Sequence, residues 1–410
     1  MRSIVISLGV LAGVVLMSVA ASADEGQLYG KIYTVDDEVL EGFIRWDKNE
    51  ASWCDILDGT KERESRKYRK YRDRRESRRD KTVKIFGLTI YSEGDEFWDF
   101  SSSEAGIRMG HIANLIPVGD NEVLLELKSG EEVELSGGSG DIGDDNREIL
   151  IDDKIEGIIE LYWDEIDRIE FMETPKGESS FGKRLYGTLT TRRGETFTGY
   201  VGWDMDETFG DDILDGREGR RKRKLDFGSI ASIERRSSSS AEVTLKTGKE
   251  MSLDDSNDID SGNRGIVISD LNLGCVKVDW DGFDMLEFAD PPGDLSYNDF
   301  DGGRKLHGTV FTEDGDKYSG DIIWDSDEEY TWEILNGNMR DVEFDIEFGF
   351  IKSIERLSSR TSLVTLKDGR SFKLRGSNDV DSDNKGIIII DGNDEIVVDW
   401  DEFEMIEFDH

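Results

Sequence analysis

The sequence predicts an all-β protein made of three tandem repeat units, and three observations support this prediction. Trp-Asp, acidic residues and Ile-Leu-x-Gly form a first phrase that occurs three times, always with 13 residues from Trp to Gly. Trp-Asp followed by Glu-Phe forms a second phrase that also occurs three times and alternates with the first. Between the phrases, apolar residues alternate with polar ones, as they do in β-strands. The first phrase begins at Trp46, Trp203 and Trp324, and the second at Trp163, Trp280 and Trp400.

The first 23 residues have the features of a secretory signal peptide. Arg2 supplies a positive charge, residues 4–20 form an apolar run, and small residues precede the acidic Asp24. This order predicts cleavage after Ala23. An uncleaved anchor is the alternative, because the apolar run approaches the length of a bilayer span. We therefore expect a periplasmic or secreted protein without a transmembrane segment after signal cleavage.

Proline and glycine mark the boundaries between units. Pro175-Lys176-Gly177 and Pro291-Pro292-Gly293 each follow the end of a second phrase, and this composition is typical of linkers. The predicted organisation is a signal peptide at 1–23, unit 1 at 24–173, a linker at 174–182, unit 2 at 183–290, a linker at 291–303 and unit 3 at 304–410.

Each unit is predicted to contain two halves of roughly 50 residues. In unit 3, residues 306–312 and 318–324 alternate around Asp314-Gly315, which indicates a β-hairpin. The second half repeats this pattern at 362–366 and 371–374. About five short strands per half, with glycine at the bends, resemble the small SH3-like or Sm-like β-barrel superfold. The resemblance covers all six halves and implies a fold but no function.

Unit 1 differs from the other units by a basic insertion at about residues 60–107. Gly59 and Gly110 are 51 residues apart, whereas the corresponding glycines of units 2 and 3 are 12 residues apart. The insertion mixes arginine and lysine with Tyr68 and Tyr71. We expect these tyrosines to bind a partner, which is either the acidic body of the protein or a neighbouring molecule; a solvated loop is the alternative.

The composition restricts the class of function. The chain has 92 acidic and 51 basic residues and a formal net charge of −41, which disfavours nucleic acid and anionic membranes as partners. The three histidines lie in different contexts, and the sequence contains no recognised catalytic motif, so we expect a protein that is not an enzyme. Cys54 and Cys275 lie in different repeats, and the sequence leaves open whether they form a disulfide.

Two acidic loops are the best candidates for a metal site. Side-chain oxygens alternate along them, which suits Ca²⁺ because this ion takes about six to eight oxygen ligands. Calcium is the single cofactor that the sequence suggests. The alternative is that these side chains cap turns by accepting hydrogen bonds from nearby backbone. The candidate ligands are Asp258, Asp260 and Asn263 in unit 2 and Asp379, Asp381 and Asp383 in unit 3.

Aromatic residues suggest both a core and a binding surface. The six tryptophans of the repeated phrases are expected in the core, because they keep a fixed spacing to apolar residues. Trp53 and Trp332 lack a counterpart in unit 2, where Gly210 stands, and we expect them to be exposed and to bind a partner.

Together these features predict an exported, non-enzymatic β-repeat protein. We expect it to act as a binding or cell-envelope scaffold for an unknown envelope or extracellular partner. A Ca²⁺-dependent adhesive or carbohydrate-binding protein is one alternative, and an enzyme of unknown class is another.

Overall fold

The computed structural model describes residues 26–62, 84–85, 88–89, 102–137, 140–177, 179–293 and 295–409. The predicted signal peptide and most of the basic insertion, including Tyr68 and Tyr71, lie outside these residues. The described part is built from antiparallel β-strands and a few three-residue 3-10 helices. This confirms the prediction of an all-β repeat protein.

Unit 1 has ten main strands. They are β1 (Tyr29–Thr34), β2 (Val39–Trp46), β3 (Ile56–Glu62), β6 (Ser102–Arg108), β7 (Ile112–Gly119), β8 (Glu122–Leu127), β9 (Glu132–Ser136), β10 (Ile149–Asp153), β11 (Gly157–Leu161) and β12 (Ile166–Phe171). Two further strands within the insertion, β4 (Lys84–Ile85) and β5 (Leu88–Thr89), pair with each other.

Units 2 and 3 repeat the ten-strand pattern. The strands of unit 2 are β13 (Tyr186–Thr191), β14 (Thr196–Gly202), β15 (Ile213–Glu218), β16 (Arg221–Asp226), β17 (Ile230–Ser237), β18 (Ser240–Leu245), β19 (Glu250–Asp254), β20 (Ile266–Asp270), β21 (Gly274–Val278) and β22 (Phe283–Ala289). Those of unit 3 are β23 (His307–Thr312), β24 (Lys317–Ile323), β25 (Ile334–Met339), β26 (Val342–Glu347), β27 (Ile351–Ser358), β28 (Thr361–Leu366), β29 (Ser371–Leu374), β30 (Ile387–Asp391), β31 (Asp394–Val398) and β32 (Phe403–Phe408). The 3-10 helices are Met109–His111, Trp163–Glu165, Phe227–Ser229, Asn257–Ile259, Tyr297–Asp299 and Phe348–Phe350.

The strand order interleaves the two halves of each unit. In unit 1 the order is β11-β10-β2-β1-β12-β7-β8-β9-β3-β6. The first hairpin, β1–β2, therefore pairs with β12 and β10 from the end of the unit, and the five strands between β2 and β10 form the other side of the sheet. The sequence predicted two consecutive halves, whereas in the structure the second group of strands is inserted into the first. This arrangement gives both strands of the first hairpin a second neighbour and ties the ends of the unit together.

A glycine in the second strand of each unit permits this close pairing. A Cβ atom at Gly42 would lie 1.9 Å from the backbone oxygen of Asp152 in β10. The corresponding distances are 2.2 Å at Gly199 and 2.3 Å at Gly320. A side chain at any of these positions would clash with backbone, which explains why glycine recurs there.

The repeated tryptophans form the centre of each unit, as predicted. Trp46, Trp203 and Trp324 are fully buried, and Trp163, Trp280 and Trp400 are between 2% and 5% exposed. In each unit the two rings meet edge to face, with centroids 6.1 to 6.3 Å apart. Such aromatic pairs contribute both apolar burial and a preferred ring geometry, so the two repeated phrases are held together by their tryptophans.

Each unit contacts both of the others. The sheet of unit 2 continues into unit 3, because β21 pairs with β26. Units 1 and 3 also meet, since Arg108 pairs with Glu347 at 3.3 Å, and the linker residues Tyr297 and Phe300 are buried in the core of unit 1. The Tyr297 hydroxyl donates to the backbone oxygen of Ile112 at 2.9 Å. The repeat pattern alone predicts contacts between consecutive units; the apolar linker adds the contact between units 1 and 3.

Candidate metal centres

The first repeated phrase forms a closed loop at the end of a strand. In unit 1 the backbone N–H of Trp46 donates to the oxygen of Glu50 at 2.7 Å, and the N–H of Glu50 donates back at 3.0 Å. Asp47 and Lys48 between them have positive φ angles of 42° and 73°. The same reciprocal bonds and positive angles occur in units 2 and 3. Such backbone conformations are unfavourable for residues other than glycine, so surrounding contacts must hold this loop.

The second acidic loop of each unit provides those contacts. The indole N–H of Trp46 donates to the backbone oxygen of Asp141 at 2.9 Å. The equivalent bonds are Trp203 to Asp258 at 2.8 Å and Trp324 to Asp379 at 3.0 Å. The two kinds of acidic loop, which are far apart in sequence, are therefore adjacent in every unit.

The six predicted metal ligands have their oxygens directed mainly at backbone. In unit 2, Asp258 accepts from the N–H of Asp215 at 2.6 Å, Asp260 accepts from Gly262 at 2.7 Å, and Asn263 accepts from Gly265 at 2.9 Å. This is the turn-capping arrangement.

Unit 3 has the same arrangement. Asp379 accepts from the N–H of Asn336 at 2.6 Å, and Asp381 accepts from Asp383 at 2.9 Å. Asp383 itself is exposed. Among the described residues, none of the five candidate aspartates in units 2 and 3 belongs to a group of three or more potential ligands close enough to hold one ion. The geometry therefore favours the capping alternative at these loops.

Carboxylates gather instead in the Trp-Asp loops. Each of three groups offers ligand oxygens that lie within 4.8 Å of one another. We name them the loop clusters. They are Asp47, Glu50 and Asp141 in unit 1, Asp204, Asp206 and Glu207 in unit 2, and Asp325, Asp327 and Glu328 in unit 3.

The glutamate of each loop cluster is the least compensated member. Glu50 is only 5% exposed, and its Oε2 atom has no hydrogen-bond partner. Burial, followed by the negative charge of Asp141, raises the pKa of Glu50 well above its usual value. Burial and the charge of Asp206 raise the pKa of Glu207 to about 8. Burial and then the charge of Asp379 raise the pKa of Glu328 as well. All three sites therefore disfavour an ionised glutamate unless another positive charge is present.

At least one basic side chain lies beside each loop cluster and binds its first aspartate. In unit 1 the guanidinium of Arg147 contacts Asp47 at 2.9 Å, and the backbone N–H of Arg147 donates to the same carboxylate at 2.6 Å. In unit 2, Arg264 pairs with Asp204 at 3.2 Å and also with Asp206, which Arg147 of unit 1 contacts at 3.3 Å. In unit 3, Lys385 pairs with Asp325 at 3.5 Å. These cations satisfy the aspartates and leave the glutamates without a partner of opposite charge.

These glutamates were not among the predicted ligands, although the repeats contain a signal for them. Glutamate stands four residues after tryptophan in all three first phrases. The residues between them vary, from Lys48-Asn49 in unit 1 to Met205-Asp206 in unit 2 and Ser326-Asp327 in unit 3. A residue that stays fixed in all copies while its neighbours change is a candidate for a specific role.

The two tryptophans that we expected to be exposed are buried. Trp53 and Trp332 have exposed fractions of 0% and 1%. The ring of Trp53 lies 4.5 Å from that of Tyr297, and its indole N–H donates to Thr174 at 3.0 Å. Trp332 stacks on Tyr330. Trp53 thus packs against the linker between units 2 and 3. Packing within the chain therefore explains why a tryptophan stands in this acidic loop.

Other sequence expectations concern cysteines and membranes. Cys54 and Cys275 are both free thiols in the structure. No helix in the described part of the chain has the length and apolar character needed to span a bilayer. No protein-family model matches the chain, and no curated protein matches it in sequence. Its function is therefore inferred from its own geometry.

Proposed function

We propose that this protein is an exported, non-enzymatic scaffold that binds other proteins at the edges of its sheets. The observation that carries this proposal is the junction between units 2 and 3. There, five residues of β21 pair with β26 in an antiparallel register from Gly274–Ile346 to Val278–Val342. Lys277 and Glu343 add an ion pair at 3.3 Å. The chain thus already uses strand addition to join two folded units.

The equivalent strands of the other units are sheet edges. In the part of the chain that the structure describes, β11 ends the sheet of unit 1 and β31 ends the sheet of unit 3. Ile155, just before β11, is 91% exposed, Ile158 within it is 52% exposed, and Tyr162 just after it is 64% exposed. Unpaired backbone beside exposed apolar side chains is a template for pairing with another chain. These two edges are the proposed binding surfaces.

The cavity between units 2 and 3 is unlike a pocket for a small molecule, which supports binding of a partner at the protein surface. A cavity of about 290 Å³ lies between units 2 and 3. Its lining is rich in charged side chains, among them Arg192, Glu195, Asp281 and Arg340. Pockets for small molecules are commonly about 300–1,000 Å³ and mostly apolar.

In unit 1, His111 packs against Phe300 and pairs with Glu347 at 3.4 Å, which gives this histidine a structural role between units 1 and 3.

A capture experiment tests the proposed edges. Glu347 donates its N–H to the oxygen of Leu273 at 2.9 Å, so by alternation the N–H groups of Cys275 and Lys277 face β26. Val397 in β31 corresponds to Lys277, and Ile158 in β11 corresponds to Cys275. The substitutions V397P and I158P therefore remove outward N–H groups, whereas V397T and I158T retain them.

The mature chain from residue 24 is used to capture proteins from the envelope of its own cell. We expect the wild type and both threonine variants to retain the same partner, and at least one proline variant to lose it. Retention of that partner by both proline variants contradicts binding at these edges. Export is tested separately by N-terminal sequencing, which should begin at Asp24; an intact Met1 in the membrane fraction contradicts it.

A second candidate function is Ca²⁺-dependent adhesion or carbohydrate binding. The observation that favours it is the carboxylate cluster in each Trp-Asp loop. This candidate predicts that capture of the envelope partner, or of a carbohydrate, is lost in the chelator EDTA and restored by Ca²⁺. The edge-binding scaffold predicts capture in either condition.

A further inference from the structure

We propose that the Trp-Asp loop of each unit binds one divalent cation, with Ca²⁺ as the preferred ion. In unit 1 the protein ligands are Asp47, Glu50 and Asp141; in units 2 and 3 the equivalents of Asp47 and Glu50 are joined by Asp206 and Asp327 of the Trp-Asp loop itself. Water completes the coordination. This inference stands whether or not the scaffold role holds, because it depends on the loops alone.

An unpartnered carboxylate oxygen occurs at the same place in every unit. The Oε2 atoms of Glu50, Glu207 and Glu328 have no hydrogen-bond partner among the described residues. Glu50 is the most deeply buried of the three, with 5% of its surface exposed, and its Oε1 atom accepts from the side chain of Asn49; Glu207 and Glu328 are half-buried. A buried carboxylate oxygen without a partner is costly and needs a specific explanation. Its recurrence in three copies indicates a shared ligand.

The size and composition of each loop cluster suit a calcium ion. Ligand oxygens on opposite sides of Ca²⁺ are about 4.6–5.2 Å apart, since each Ca–O distance is about 2.3–2.6 Å. Mg²⁺ usually keeps several waters and is held by one or two carboxylates, so three protein carboxylates at one site favour Ca²⁺. The oxygens of each cluster lie within 4.8 Å of one another, a separation that a calcium ion can bridge. The clusters contain only carboxylates, which suits a hard cation and disfavours zinc.

Charge also favours a cation. In units 1 and 3 one basic residue pairs with the first aspartate of the three carboxylates, and in unit 2 Arg264 and Arg147 pair with the two aspartates but not with Glu207. The cluster therefore keeps an excess of negative charge. A divalent cation would neutralise that excess and supply the missing partner of the glutamate. A proton on the glutamate is the competing explanation, and it makes different predictions.

Isosteric variants distinguish a cation from a proton. The triple variant E50Q/E207Q/E328Q keeps the shape of each side chain but removes its charge, which weakens metal binding and imitates a protonated glutamate. The control is E132Q/E250Q/E404Q, which removes the same charge from one exposed glutamate in each unit. All chains are freed of metal with EDTA and titrated with CaCl₂ by calorimetry, and melting temperatures are recorded with and without Ca²⁺.

We expect the wild type and the control to bind Ca²⁺ saturably, with about one ion per Trp-Asp loop and a higher melting temperature in Ca²⁺. The triple variant should bind at least tenfold more weakly, and Mg²⁺ should bind the wild type less tightly than Ca²⁺. If the triple variant does not fold, E50Q alone should lower the stoichiometry by one site. Absence of saturable heat in the wild type, or wild-type affinity in the folded glutamine variants, overturns the proposal.

Discussion

Asp55 joins units 1 and 2, and its replacement by alanine should destabilise the protein strongly. Its Oδ2 atom accepts from the N–H groups of Ala51 and Ser52 at 2.9 and 2.8 Å and from the guanidinium of Arg184 at 2.8 Å. Its Oδ1 atom accepts from the hydroxyl of Ser269 at 2.9 Å. The side chains of Arg184 and Asp55 are only 2% and 8% exposed. Removing one partner leaves a buried charge without compensation, so we expect D55A to lower the free energy of unfolding by about 3–5 kcal/mol.

Unit 2 contains a matched control at Asp212. This residue also accepts from two backbone N–H groups, those of Thr208 and Phe209, at 2.7 and 2.8 Å. Its basic partner, Arg45, is more distant at 3.5 Å, and the two side chains are 14% and 18% exposed. D212A therefore removes the same two backbone hydrogen bonds but a weaker ion pair. It should lower the free energy of unfolding by about 1–3 kcal/mol. The difference between the two variants reports the buried charge pair.

Urea unfolding followed by tryptophan fluorescence measures these effects in D55A, R184A and the double variant. Because Asp55 and Arg184 are in direct contact, the double variant should be more stable than the sum of the single effects implies, by at least about 1.5 kcal/mol. Additive effects of the two substitutions, or equal losses in D55A and D212A, would refute the reasoning.

Two further predictions concern pH and the second linker. Burial alone would raise the pKa of Glu347, but the charges of His111 and Arg108 lower it below the ordinary value of 4.5. The ionised Glu347 therefore stabilises the folded state fully above pH 4.5, and this stabilisation is lost as the pH falls through the lower pKa of the folded state. In E347Q the melting temperature should no longer show this loss at acid pH. A melting temperature that depends on acid pH as in the wild type would contradict the prediction. Gly302 has a φ of 82° and would place a Cβ atom 2.1 Å from the backbone nitrogen of Ser129, whereas Gly315, with a φ of 86°, has open space around it. G315A should cost about 1 kcal/mol from backbone strain alone, and G302A should cost clearly more in the same thermal melts; equal losses would show that the linker contact is unimportant.

Local patterns predicted much of the fold. The repeat period identified three units, and fixed spacing placed the six repeated tryptophans in the core. The strand order could not be predicted in the same way, because β1 pairs with β12, which lies more than a hundred residues later in the chain. Local alternation shows which residues face the core but not which strands pair. A signal for the contact between units 1 and 3 was present in the linker, where Tyr297 and Phe300 are apolar residues in a segment otherwise typical of a surface loop.

The candidate metal centres were only partly predictable for the same reason. The sequence drew attention to the second acidic loop, where alternating oxygens suggested Ca²⁺. In the structure that loop mainly caps backbone, and Asp141, 95 residues after Trp46, is held beside the Trp-Asp loop by the indole hydrogen bond of Trp46 and by the contacts of Arg147 with Asp47. In unit 1 the ligand set is thus divided between two segments that no local pattern connects, whereas in units 2 and 3 it lies within the Trp-Asp loop. Comparison of the three copies would have identified Glu50, since glutamate recurs at its position.

The contacts between units also show how three similar repeats pack against one another through different residues. An acidic residue stands nine positions after the first tryptophan of each unit, at Asp55, Asp212 and Glu333, and it caps its own loop in every case. Each of these carboxylates also receives a cation from another unit. The cations are Arg184, Arg45 and Lys61, which do not occupy equivalent positions in the repeats. The repeat therefore supplies a common acceptor, and residues peculiar to each unit determine which neighbour it binds. Exchanging one unit for a copy of another would keep the folds and caps but remove these cations, so the order of the three units is itself a structural requirement.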